Sequence, residues 1–184
     1  IGVVILPQLS KYVHSKKKNQ IQLIQNKALE LSMFLSLPAT LALMIGSEEI
    51  VSALFGYGSF TEDSVNNSAK ALYFFAIGLP AFALIKVFSS FFFANHDTKT
   101  PFYISLISVF LNISISLYYF KDIGFIIIPV ATSISSWFNS IVLFLFLKKQ
   151  ELFKFNDEFF QKLFKIVFVS IMTGFVFNYF ISIF

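Results

Sequence analysis

Long apolar stretches recur five times along this chain, over residues 29–47, 71–95, 101–120, 123–147 and 166–184. A helix needs roughly 20 apolar residues to cross a hydrocarbon core, and tilt or snorkelling absorbs a small shortfall. The pattern therefore predicts an all-α fold, a polytopic membrane helical bundle. The first stretch carries Glu30 near its start and Pro38 in its body, which predicts a kinked helix with its acidic end at the interface. Residues 1–7 read as the end of a preceding membrane helix, so the chain is expected to be a piece of a longer protein.

Two connections have a pattern of their own. Gly56 and Gly58 lead into Phe60-Thr61-Glu62-Asp63-Ser64, a turn feeding a helix with Thr61 as its N-cap and acids in the first turn. Residues 148–165 mix Phe153, Phe155, Phe159, Phe160, Leu163 and Phe164 with lysines and acids. That mixture predicts an amphipathic segment lying along the membrane surface, and a solvated linker reads equally well.

Composition agrees with the apolar pattern: 57% of residues are hydrophobic, 13% charged, and the mean hydropathy is +0.76. An ordinary soluble domain is excluded. Charge then assigns the sides. Lys11, Lys16, Lys17, Lys18 and Lys27 precede the first span; Lys99 lies in the third connection; Lys148, Lys149, Lys154, Lys162 and Lys165 lie in the fifth. The second and fourth connections hold only Lys70 and Lys121. By the positive-inside rule the first, third and fifth connections are cytoplasmic, and 148–165 is a cytoplasmic linker.

One charge does not fit a connection. Lys86 stands inside the second stretch, about ten helical residues or roughly 15 Å from the polar end at His96. That is too deep for its stem to reach the headgroups, and charge at such depth faces a protein interior or a watery pathway. Ser90 is one turn away and can share the site; Gly78 and Pro80 allow bending or close backbone approach. A lysine there acts as a point charge suited to a phosphate, or else donates to carbonyls of another helix.

Polar stripes mark the next two stretches: Ser105, Ser108, Asn112 and Ser116 on one, Thr132, Ser136, Asn139 and Ser140 on the other. The short Lys121-Asp122 connection makes them antiparallel neighbours. Two readings follow. Small hydroxyl residues let membrane helices approach and hydrogen-bond; alternatively the stripes line a polar pathway, with Asn112, Ser116 and Thr132 as oxygen donors for a small monovalent cation. Catalysis finds no support, since His14 and His96 fall at span edges and neither metal-ligand spacing nor a phosphate loop occurs. No cofactor, metal or nucleic-acid partner is expected, and Lys16 to Lys18 read as a topology signal.

Several stretches taken in order resemble the MurJ/MviN family, lipid II flippases of the multidrug/oligosaccharidyl-lipid/polysaccharide exporter superfamily. They are Ile5-Leu6-Pro7-Gln8-Leu9-Ser10, Leu35-Ser36-Leu37-Pro38-Ala39 and Leu54-Phe55-Gly56-Tyr57-Gly58-Ser59-Phe60-Thr61. Gly78-Leu79-Pro80-Ala81-Phe82 with Lys86-Val87, Asp97-Thr98-Lys99-Thr100-Pro101, and Ala131-Thr132-Ser133 with Trp137-Phe138-Asn139 complete the set. The resemblance fades beyond residue 150. It implies two six-helix lobes around a cationic cavity, with this chain as part of the second lobe and an upstream half that it requires. The family's cavity arginines would lie upstream of Ile1, and where the family commonly reads Arg-Gln-Asp this chain has Asn95-His96-Asp97.

What the resemblance implies for function is translocation of a lipid-linked anionic muropeptide across the bacterial inner membrane by alternating access, without bond chemistry. Lys86 and Ser90 would belong to the substrate cavity, and Asp97, Lys99, Thr100 and Pro101 to a cytoplasmic gate. Coupling to a monovalent cation or to the membrane potential is compatible with it. A related exporter of drugs or another lipid-linked glycan, and a non-transporting membrane scaffold, are the alternatives.

Overall fold

A computed structural model describes residues 2–15, 17–58 and 60–183. Lys16 of the lysine cluster and Ser59 of the glycine-rich turn lie outside the described residues, as do Ile1 and Phe184. The described chain is helical: α1 (Gly2–His14), α2 (Lys18–Ile45), α3 (Ser47–Phe55), α4 (Glu62–Ala94), α5 (Lys99–Ile123), α6 (Ile127–Lys149) and α7 (Phe159–Ile181). One 3-10 turn, Gly124–Ile126, joins α5 to α6. Four stretches are long and apolar enough to cross a membrane: Lys18–Ile45, Glu62–Ala94, Lys99–Lys149 and Phe159–Ile181. The third is a hairpin. It reverses at Gly124, whose φ of 74° suits a residue without Cβ.

Several helices start earlier or run further than the apolar runs. α2 begins at Lys18, α4 at Glu62 and α7 at Phe159, and α1 continues through Pro7 to His14. Hydropathy marks where the hydrocarbon lies, whereas caps and backbone hydrogen bonds decide where a helix stops. Thr61 shows this directly: its hydroxyl accepts the Ser64 N–H at 3.3 Å, and α4 starts nine residues ahead of the apolar run. The short α3 belongs to no apolar run, although Glu48 and Glu49 in its first turn are a start signal.

α4 is the axis of the bundle. α1, α2, α3 and α6 pack around it, α5 is held mainly by α6, and α7 packs against α2 alone among the described helices. Where α4 meets α6, backbones come close at Gly78, and side chains of α6 bond the α4 main chain: the Ser133 hydroxyl donates to the Phe74 carbonyl and the Trp137 Nε1–H to the Ile77 carbonyl at 3.0 Å. These donors sit beside Pro80, which lacks the N–H its turn would need.

The lysine-rich connections come together at one end of the bundle, as alternate crossings require. There the segment 148–165 departs from expectation. Residues 151–158 form no helix on the membrane surface, and α7 takes over at Phe159. Glu151, with φ of 54°, ends α6: its N–H donates to the Lys148 carbonyl and that of Leu152 to the Leu147 carbonyl. The following strand-like segment lies across α2, whose amides take its carbonyls. Gln25 Nε2 donates to Leu152 at 2.9 Å, Asn26 Nδ2 to Lys154 at 3.0 Å and Gln22 Nε2 to Phe155 at 3.1 Å, while Asn26 Oδ1 accepts the Asn156 N–H at 3.1 Å.

Phe153 is thereby buried among Phe88, Phe91, Leu143 and Leu147. It stacks on Phe91 with ring centroids 5.9 Å apart and meets Phe155 edge-on at 4.8 Å. The alternate spacing of Phe153 and Phe155 is an extended-chain period, not a helical one. Aromatic burial plus satisfied carbonyls outweighs the amphipathic helix that the composition alone suggested.

Candidate functional site on the open face of α4

Helical geometry sorts α4 into faces. Phe74, Ile77, Gly78 and Phe88 meet α6, and Ala76, Pro80, Val87, Phe91 and Ala94 are buried against other elements. One stripe stays open or part-open: Phe75, Leu79, Phe82, Lys86, Ser89 and Phe93 follow one another at three- and four-residue steps. Lys86 is exposed at its centre, and among the described residues it has no salt-bridge partner.

Ser90 does not share that stripe. It is buried, and its hydroxyl donates to the Lys86 carbonyl at 2.8 Å, so its oxygen serves the helix backbone. Ser89 is the hydroxyl beside Lys86 on the open face. Spacing alone does not separate the two serines; the burial of Ser90 against neighbouring helices does.

The α4–α5 corner holds the residues read as a gate. His96, at φ 59°, is the turning residue; its N–H donates to the Phe93 carbonyl and that of Asp97 to the Phe92 carbonyl, closing the helix end. Asp97 then caps α5, accepting the Thr100 N–H at 3.0 Å and the Thr100 hydroxyl at 2.6 Å. Pro101 is buried and Lys99 exposed. Burial pushes the Asp97 carboxyl up, but bonds from the Thr100 hydroxyl and N–H, the Lys99 N–H and the Gln150 side chain outweigh it and hold the group below its ordinary value of 3.8.

The sign follows from that depression. The stability Asp97 contributes is fully present above pH 3.8 and is lost as pH falls through the lower folded value. Asp97→Asn keeps a cap oxygen and loses only the charge, so it is expected to cost about 0.5 kcal/mol near neutrality. Thermal midpoints of the two proteins should converge in acid; a constant difference down to pH 2 would refute the assignment.

Between α5 and α6 the polar stripes meet each other. Asn112 Nδ2 donates to Thr132 Oγ1 at 3.0 Å and to Ser135 Oγ at 3.3 Å, and Asn139 Nδ2 to Ser105 Oγ at 3.3 Å. Ser108 and Ser136 donate to backbone carbonyls one turn back, and Ser116 Oγ and Asn139 Oδ1 are buried without a partner. Across this seam the stripes bond to each other and to the helix backbone. Ser135, which no face argument singled out, belongs to the seam because Asn112 reaches past Thr132.

With this geometry in hand, three comparisons agree. The family described as "Lipid II flippase MurJ" matches residues 1–184. Among curated relatives, the "Probable lipid II flippase MurJ" of Rickettsia prowazekii (strain Madrid E) is 39% identical over 81% of this chain and 29% of that protein. That of Rhizobium meliloti (strain 1021) is 38% identical over 78% of this chain and 27% of its own length, and the "Lipid II flippase MurJ" of Burkholderia cenocepacia is 31% identical over 84% and 30%. A solved structure named "Lipid II flippase MurJ, inward closed conformation" superposes with a TM-score of 0.79 at 26% identity, covering 96% of this chain and 35% of that one. The chain thus spans less than a third of the length of those curated relatives. Matched along all of its residues, this multi-pass membrane chain belongs to the MurJ lipid II flippase family.

Proposed function

We propose that this chain forms part of the second lobe of a lipid II flippase in a bacterial inner membrane, and that the open face of α4 lines the substrate cavity. The observation that carries the reading is Lys86: a cation deep in a membrane helix, exposed on an unpacked aromatic stripe. Its ammonium would neutralise a phosphate of the lipid-linked substrate as a point charge, while the rings of the stripe flank the passage. The upstream half of the protein supplies the facing wall. Transport proceeds by rocking one lobe against the other, with no bond made or broken.

In the same proposal Asp97, Thr100 and Pro101 make the α4–α5 corner stiff, and Lys99 presents a charge at the cytoplasmic rim. Stiffness lets α4, α5 and α6 move as one body when the inner opening closes. The full-length protein carrying this segment, expressed in cells depleted of their own flippase, provides the test. Lys86→Gln is expected to slow lipid II translocation about tenfold, the scale of one hydrogen bond to a charged group, with Lys86→Arg retaining most of it. Unchanged translocation with Lys86→Gln would overturn the reading.

A further inference from the structure

A second charged place lies on the opposite flank, between α2 and α7. Lys27, Glu30, Lys162 and Lys165 rim a cleft of about 540 Å³ whose floor is Leu31, Phe34 and Ile166. Its position along the two helices is specific. Glu30 is the last charge of α2, and Lys165 the last of α7; below them both helices run uncharged, to Ile45 and Ile181. The cleft therefore straddles the boundary between polar and apolar levels, with cations above and aliphatic and aromatic surface below.

Charge within the rim is unbalanced. Lys162 Nζ lies 3.4 Å from Glu30 Oε1 and 3.1 Å from Glu158 Oε2, so its charge is matched. Lys27 and Lys165 are exposed, and among the described residues neither has a carboxylate within salt-bridge distance.

We propose that this α2–α7 cleft is a binding site for a resident anionic phospholipid, its phosphate between Lys27 and Lys165 and an acyl chain along Leu31, Phe34 and Ile166. A headgroup at the height of the lysines and a chain below them match the vertical order of the lining. A zwitterionic lipid brings an ammonium that the two lysines repel. A free phosphate would leave the apolar floor uncovered. The lipid would also fix α7, which packs against no other described helix than α2. Lys86 stands on another helix, so this site and the transport proposal can fail independently.

Native mass spectrometry of the full-length protein titrated with phosphatidylglycerol or phosphatidylcholine tests the site. Each lysine beside an anionic group is worth about fivefold in affinity, so Lys27→Gln with Lys165→Gln should weaken phosphatidylglycerol binding about 25-fold, to the phosphatidylcholine level. Lys27→Arg with Lys165→Arg should retain it. Glu30→Gln, which removes the one carboxylate of the rim, should strengthen it. The paired control Lys148→Gln with Lys149→Gln, at the end of α6, should leave it unchanged. Equal binding of the two lipids by the unaltered protein, wild-type affinity in the Lys27/Lys165 glutamine variant, or an equal loss in the control would each overturn the proposal.

Discussion

Leucine at position 78 is expected to separate α4 from α6 and to destabilise the protein by about 3 kcal/mol or more, beyond the usual range for an added methylene in a packed site. Even a Cβ at Gly78 would stand 2.7 Å from Ser133 Oγ, 3.1 Å from the Phe82 ring and 3.2 Å from Ser133 Cα. Ser133 cannot yield, because its hydroxyl is bonded to the Phe74 carbonyl and the clash extends to its backbone. Moving α6 away would also break the Trp137 bond to the Ile77 carbonyl, beside a proline that already leaves its turn short of a donor. Gly174→Ala is the internal control: its Cβ would meet the far end of Ile45 at 3.3 Å and Leu41 at 3.6 Å, both able to shift. Thermal midpoints of the full-length protein in detergent should fall sharply for Gly78→Leu and barely for Gly174→Ala. Equal midpoints for Gly78→Leu and the unaltered protein would remove the close α4–α6 contact from the account.

Asn26→Leu is the second large expected loss, about 2–4 kcal/mol. Asn26 is 3% exposed and serves two chain segments at once: Nδ2 donates to the Lys154 carbonyl and to the Gln22 carbonyl, and Oδ1 accepts the Asn156 N–H. Leucine is of similar size but leaves the part-buried Lys154 carbonyl and Asn156 N–H without their partner, so the segment is no longer held to α2. Release of that segment would expose Phe153 and Phe155. Chymotrypsin cleavage between residues 151 and 158 should therefore appear in Asn26→Leu and stay slow in the unaltered protein. Gln22→Leu, removing one bond at a half-buried position, should lie between them. Resistance of Asn26→Leu to cleavage would show that the aromatic contacts alone hold the segment.

Those two sites mark where sequence reading succeeds and where it stops. The apolar runs and the alternation of lysines yield the helical class and the sidedness, because the bilayer imposes length and charge rules that act on each segment separately. Gly78 and Pro80 also stood out, since a helix interior tolerates them only for a reason. Gln25 and Asn26 did not. Their amides matter through partners more than a hundred residues away, and no local pattern announces that Leu152, Lys154 and Phe155 will need donors. The same limit explains residues 148–165, where composition suggested a surface helix and long-range capping produced an extended segment. Lys86 was legible from its depth alone, whereas the choice of Ser89 over Ser90 as its neighbour required knowing which face of α4 was already covered.

Lys86 also allows the most direct test of the central claim, that the open face of α4 borders water in the whole protein. This segment contains no cysteine, so with any cysteines elsewhere in the protein replaced, a single thiol reports on each chosen position. In native membranes holding the full-length protein, Lys86→Cys is expected to react with a charged, membrane-impermeant thiol reagent. Phe110→Cys, at an exposed position of α5 on the side opposite its α6 seam, is expected to face lipid and not react, because a thiol in lipid has neither water nor thiolate form available. Reaction at position 86 together with silence at position 110 supports a water-filled cavity along α4. Equal silence at both positions would place Lys86 in lipid or against another helix, and would contradict the account.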